Sequence, residues 1–357
     1  MADNPYTNIR IVDIARMADV SVATVDRVIH NRGKVSEANL ARINEVLRQV
    51  NYRPNLLARS LAAGRLYLLY IVIPRFSEGE YWADVDAGIE RAAVEAARYN
   101  VTVRKFFFDQ YDCASFGQLI ASLHDDPFDG VLLATLFAER VVPFTRELDL
   151  RGVPYVFVDS LIPGCNQLSY FGTSSFDAGS VAARLLTDRM DFASDIVVGS
   201  ILHKGDGGST QCRNRELGFR AYLKQIGFRG RIHCASLRLD DDAYNTRVLD
   251  ELFRADGRIA GAVTFNSTCY LLAGYLAAHG RSEVRLVGYD LIRRNEEMLR
   301  EGVVTALIAQ RPGVQGYYGV MALCGKLTGV GKVAQVNNMP IDILLKENIQ
   351  YYTNNIL

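Results

Sequence analysis

Five polar side chains stand where strands are expected to end. Asp159 closes "VPYVFVD", Asn266 follows "GAVTF", Asp290 closes "VRLVGYD" and Gln310 closes "VTALIAQ". Arg215 opens the helix after the loop "KGDGGST". Carboxylates accept hydroxyl protons, a guanidinium donates in a fixed fork, and Asn and Gln do both. Together they could hold a polyol. Each alone is an ordinary cap or turn residue. Five at equivalent strand ends point to one shared ligand site. Tyr81 and Trp82, in "GEYWADVDAG" just after the first strand, offer aromatic faces to the apolar side of a sugar ring. For Trp82, the single tryptophan, core packing is the other reading.

A second constellation lies near the start, in "VSVATVDRVIHNRGKVS". Ser21 can cap a helix whose Val25, Val28 and Ile29 face inward. Val22, Ala23, Asp26, Arg27 and His30 then fall on the outer face. Before it, Ile11, Ile14, Ala15 and Ala18 repeat at helical spacing. After it, Ser36 and Asn39 open a third helix with Ile43, Val46, Leu47 and Val50 as its buried stripe. Two helices joined by the short turn "ADVS" match a helix-turn-helix, whose second helix enters the major groove of DNA. A small helical bundle with a solvated charged face is the plainer alternative. The stretch "YRPNLLARSLAAGR" adds a short helix with the apolar strip Leu57, Ala58, Leu61 and Ala62. Such a helix forms only when docked. Leu61 could wedge between base steps, or the segment is simply a linker helix.

Asp26 is the odd residue on this face, because DNA is a polyanion. Its carboxylate could accept from cytosine N4, or hold the Arg27 guanidinium toward guanine O6 and N7. It could also be a solvated residue without a base role. In each case it repels phosphates and weakens nonspecific binding.

The elements that carry these residues follow from pattern. The chain has 357 residues, enough for two or three domains. Hydrophobic residues make up 49% and charged residues 22%, a globular profile. No apolar run is long enough to span a membrane, and the N-terminus does not read as a secretory signal. A cytoplasmic location is expected. Six scattered cysteines without a CxxC pair read as reduced thiols, not as a metal or disulfide framework. Residues 1–65 carry ten basic and six acidic side chains, a net +4, which leaves −4 for the remainder. A basic head on an acidic body suggests a polyanion for the head. From Leu66 onward, apolar strand patterns alternate with helical ones in two series, the second beginning at "DIVVGSI". That alternation predicts an α/β body of two doubly wound parallel-sheet lobes, with ligands outside the carboxyl ends of the strands. Two such lobes can close on a small molecule by hinge motion.

The segment "DIARMADVSVATVDRVIHNRGKVSEANLARINEVLRQVNYRPNLLARSLA" resembles the DNA-binding head of the lactose-repressor family over about fifty residues. The resemblance implies that residues 22, 23 and 27 read the major groove, that Ser21 and Thr24 contact phosphates, and that Leu61 is the hinge wedge. Asp26, His30, Asn31, Lys34, Asn55 and Ala58 complete the candidate DNA-contacting set. The body, over most of residues 66–345, resembles the ribose-type periplasmic-binding-protein fold of that family. "RELGF" then implies Arg215 as a sugar-binding arginine, "FNSTCYLLAG" implies Asn266, "VGYD" Asp290, "AQRP" Gln310 and "VFVD" Asp159. Tyr81 and Trp82 fall on the stacking aromatics, with Thr173 and Arg213 nearby. Three departures stand out. Asp26 replaces a usual serine. Ser267 replaces a frequent aspartate. Ser160 replaces the arginine of ribose binders, which argues against ribose itself.

The expected organisation is a head over 1–53, a hinge helix over 54–65 and a two-lobed body over 66–345, followed by a tail over 346–357. The first lobe is assigned 66–173 and 308–328, and the second 174–307 and 329–345. The expected function is a sugar-responsive DNA-binding repressor, a homodimer on a pseudo-palindromic operator, with no cofactor and no metal. A solute-binding protein of a sugar transport system is the alternative. An enzyme is disfavoured: "GDGGST" is neither GxGxxG nor a Walker loop, and the five histidines are dispersed. The tail shows no leucine heptad, so a tetramerising coil is not expected.

Overall fold

The computed structural model describes residues 9–29, 33–50, 52, 65–123, 127–202, 209–255, 258–329 and 331–353. The expectations for His30, Asn31, Asn55, Ala58, Leu61 and the hinge helix lie outside the described residues. The chain divides into two compact units, Met1–Ala63 and Gly64–Leu357.

The first unit holds α1 (Ile11–Ala18), α2 (Val22–Ile29) and α3 (Glu37–Gln49). Their apolar stripes meet in one core of Ile14, Ala15, Ala18, Val25, Ile43, Val46 and Val50. The turn between α1 and α2 is set by Asp19. Its left-handed backbone (φ 51°) lets its N–H reach the last carbonyls of α1. Ser21 then caps α2, its Oγ accepting from the Thr24 N–H at 3.2 Å.

The second unit contains two six-stranded sheets. The first lobe is built from β1 (Tyr67–Pro74), β2 (Val101–Phe108), β3 (Gly130–Ala134), β4 (Tyr155–Val158), β5 (Ser169–Gly172) and β11 (Val336–Asn338), in the order β11-β5-β4-β3-β1-β2. The second contains β6 (Asp195–Ile201), β7 (Ile232–Leu237), β8 (Ile259–Thr264), β9 (Arg285–Tyr289), β10 (Ala306–Ala309) and β12 (Asp342–Leu344), in the order β12-β10-β9-β8-β6-β7. All pairings are parallel except β10 with β12. Central strands such as "YLLYIVIP" are apolar on both sides because helices cover both faces of a parallel sheet.

One helix pair brackets each lobe near the cleft. In the first lobe, α4 (Tyr81–Ala96) packs on α12 (Pro312–Thr328); in the second, α7 (Ser175–Thr187) packs on α8 (Thr210–Gln225). Both contacts are backbone to backbone. A Cβ on Gly179 of α7 would fall 1.9 Å from the Arg215 carbonyl oxygen, and one on Gly88 of α4 would fall 1.9 Å from that of Gly313. The missing side chain is what brings α8, and Arg215 on it, this close to α7.

The chain crosses between lobes three times: after β5, after β10 and after β11. This revises the expected lobe boundaries. Strand β10 belongs wholly to the second sheet, and β11 pairs with β5 in the first. Residues 329–345 therefore divide between the lobes. Nor are residues 346–353 a separate tail: Ile349, in the short helix Ile349–Thr353, is fully buried in the second lobe's core.

Candidate functional site

On α2, Val22, Ala23 and Arg27 are exposed, Thr24 and Asp26 are half-buried, and Val25 is buried. The exposed residues are those expected to read the groove. Ser21 Oγ also bonds Thr24 Oγ1 at 2.8 Å, so the two candidate phosphate contacts are pre-ordered by each other. Lys34 is exposed beyond the helix.

In the body, a cavity of about 250 Å3 opens between the lobes. Of the nine expected ligand residues, Tyr81, Trp82, Asp159, Asn266, Asp290 and Gln310 line it. Thr173 and Arg215 are buried just behind. Thr173 Oγ1 donates to Gln310 Oε1 at 3.4 Å. The Arg215 guanidinium stacks on the Tyr289 ring at 4.0 Å and donates from Nη1 to the Phe265 carbonyl. Arg213 departs from the expectation: it is exposed, and its Nη2 donates to Thr210 Oγ1 on its own helix. At helical spacing, two residues from Arg215 means a different face.

Asp159 and Asp290 follow β4 and β9, the fourth strand of each lobe's series. Both have a left-handed backbone, with φ of 80° and 66°. An L-residue at positive φ is strained and persists only when its surroundings hold it. A fully buried amide does so in each lobe. Gln315 accepts from the Asp159 N–H at 3.2 Å and donates to the Gln310 carbonyl at 2.7 Å. Asn295 donates to the carbonyls of Ser267, Tyr289 and Asp290, and accepts from the Tyr270 N–H.

Between the carboxylates runs a chain of hydrogen bonds. Gln310 Nε2 donates to Asp290 Oδ1 at 2.8 Å. Gln211 Nε2 donates to Gln310 Oε1 at 3.2 Å and to Asp159 Oδ1 at 2.7 Å. Ser160 and Ser267 hydroxyls bond the outer oxygens of Asp159 and Asp290. Burial pushes the Asp159 carboxyl up to about 7; Arg215 opposes the rise and Asp290 adds to it. Asp290 is raised by the same burial, against Arg215 and its bonds from Ser267 and Gln310. Two acids thus share one buried guanidinium, whose Nε has no hydrogen-bond partner among the described residues. The buried Tyr81 hydroxyl faces Gln315 without a well-formed hydrogen bond. Its ring meets Trp82 edge to face at 5.1 Å. Open bonding capacity beside an aromatic wall suits a small ligand with several hydroxyls.

Gln211 was missed by the sequence reading, though it lies one turn before Arg215 on the same face of α8. Tyr270, at the start of the helix that follows Asn266, lines the cavity too, as do Tyr111 and Arg294. Among the described residues, no cluster of His, Cys, Asp and Glu could hold a metal, and all six cysteines are free. No described helix is long and apolar enough to cross a membrane.

Comparison with known proteins places both units. Residues 69–331 match the periplasmic binding protein domain family, and residues 10–55 match the bacterial regulatory proteins of the lacI family. The chain belongs to the lacI family of bacterial regulatory proteins, as a DNA-binding regulator with a periplasmic-binding-protein body. It is 26% identical to the ribose operon repressor of Halalkalibacterium halodurans, over 78% of this chain and 80% of that protein. The ribose operon repressor of Escherichia coli is 28% identical over 60% of this chain and 61% of that protein. Among solved structures, a LacI transcriptional regulator of Bacteroides fragilis aligns with a TM-score of 0.76 and 36% identity, over 81% of this chain and all of that one. The glucose-galactose binding protein GanP of Geobacillus stearothermophilus aligns over 80% of this chain and 99% of its own, with a TM-score of 0.68 at 18% identity, a likeness of fold.

Proposed function

We propose that this regulator is a repressor whose operator affinity is set by a neutral sugar or polyol in the interlobe cavity. The observation that carries this reading is the convergence of Asp159, Asp290, Asn266 and Gln310 with Trp82 on one cavity of about 250 Å3. Among the described residues, the lining carries four acids (Glu80, Asp159, Asp240, Asp290) and one guanidinium, Arg294. This excess of acids disfavours a phosphate, and the effector is taken to be neutral. The protein acts in the cytoplasm as a homodimer on a pseudo-palindromic site, because helix-turn-helix heads read paired half-sites. Val22 and Ala23 pack on thymine methyl groups, and Arg27, oriented by Asp26, reads guanine. Ligand and operator affinities are coupled reciprocally. Catalysis has no part in this reading: the relatives above are repressors.

The test is a titration of the single tryptophan's fluorescence with pentoses, hexoses, polyols and sugar phosphates, alongside salt-dependent binding to duplex DNA. A saturable change with one neutral compound, lost in Asp290→Ala, supports the reading. A response to sugar phosphates alone refutes it.

A further inference from the structure

The cavity does not end at its aromatic wall. A second depression of about 280 Å3 adjoins it. Tyr111, Leu239 and Asp240 border both. Like the first, the second depression takes its walls from both lobes: Asp109 and Tyr111 follow β2 of the first, and Ile201, Arg238 and Asp241 come from the second. It would therefore form and break with the same closure.

Its chemistry repeats that of the inner cavity. Asp109, Asp240 and Asp241 present carboxylates, Arg238 a guanidinium, and Tyr111 and Leu239 an apolar boundary. The polar groups are held in place. Asp109 Oδ1 accepts from the Tyr111 N–H at 2.8 Å. The Arg238 guanidinium lies 4.0 Å over the Tyr244 ring and donates to Asp241 Oδ2 at 3.1 Å. Each carboxylate oxygen has two lone pairs, so fixed acceptors remain for hydroxyl groups. Three acids to one base among the described residues disfavour an anionic group here, as in the inner cavity.

Two adjoining spaces of similar size, with the same mix of carboxylate, guanidinium and aromatic ring, fit two linked rings better than one. We propose that the outer depression is a second sugar subsite, and that the effector is a two-ring glycoside whose linkage passes Tyr111 and Leu239. The inner ring lies against Trp82, Asp159 and Asp290; the outer ring takes hydrogen bonds from Arg238 and gives them to Asp109 and Asp241. This rests on the cleft being a sugar site, and the experiment separates the two claims.

Full-length protein is titrated, by tryptophan fluorescence and calorimetry, with glucose, galactose, mannose and xylose, and with disaccharides built from them: maltose, cellobiose, lactose, mannobiose and xylobiose. The expected result is one disaccharide binding at least ten-fold tighter than its component monosaccharides. Arg238→Gln and Asp109→Asn should each cut that advantage several-fold and leave monosaccharide affinity unchanged, with unaltered melting curves. A monosaccharide binding as tightly as any disaccharide, or variants weakening both alike, overturns the outer subsite and leaves the sugar reading standing. Protein that binds duplex DNA but none of these sugars overturns both.

Discussion

Replacing Asp159 with Asn should stabilise the body while destroying its proposed ligand site. The carboxyl is 4% exposed, and burial raises it from the ordinary value near 4 to about 7. At about 1.4 kcal/mol per pH unit, ionised Asp159 costs the folded state about 4 kcal/mol relative to the neutral form. The folded state holds a proton that the unfolded state gives up, so this group's contribution to stability is most favourable below pH 4 and falls as pH rises to 7. Above that the full cost is present. Asn keeps the shape, its carbonyl can accept from Gln211, and Ser160 can turn to meet its amide. The variant should therefore match the parent near pH 4 and exceed it by up to about 4 kcal/mol at pH 8. For a body of this size that is roughly 8 °C in melting temperature. The assay is thermal unfolding of both proteins at pH 4.5, 6 and 8, followed by circular dichroism. A variant less stable at pH 8, or an advantage that does not grow with pH, would refute the reasoning. The gain should come with lost sugar binding, the trade expected where a site is strained for function.

Asn295→Ala removes four hydrogen bonds at a fully buried site and should destabilise the body by about 3 kcal/mol, measured by urea unfolding. Gly179→Ala places a Cβ where the Arg215 carbonyl now sits; it should lower the melting temperature and weaken ligand binding by displacing α8. Ser21→Ala loses the cap of α2 and should cost the head about 1 kcal/mol in thermal unfolding, with DNA affinity falling too. Asp26→Asn should raise affinity for nonspecific duplex, read by fluorescence anisotropy at low salt, because one repulsion of phosphate is gone.

Local signals carried much of this architecture. The "ADVS" turn and the Ser21 cap marked α1 and α2, because capping is decided within a few residues. Asp159, Asn266, Asp290 and Gln310 were visible because a polar residue ending a run of Val, Ile and Leu is a local contrast. The partition of 329–345 was not visible. "VNN" has too few residues to show a period, and its pairing with β5 is a contact between segments more than 160 residues apart. Gln211 could have been found from its one-turn spacing to Arg215, but the reading began from strand ends. Arg213 was placed by proximity in sequence, which a helix does not respect. The amides Gln315 and Asn295 gave no signal, since their roles depend on backbone strain that only the folded chain shows.

The triple crossing has a consequence for the newborn chain. The first lobe begins at β1 but lacks α12 and β11 until the second lobe's first five strands have been made. With translation at about 10 residues per second, the first sheet waits on the order of 15 s after β5 for its sixth strand, its edge at β5 unpaired. The three-helix head, all local contacts, can be complete long before. During that interval the ribosome carries a folded DNA-binding head ahead of a sensor that cannot yet sense. Chaperone dependence should therefore track the first lobe's open sheet, and a nonsense mutation just before Pro312 would leave the first lobe without α12 and β11 and the second without β12.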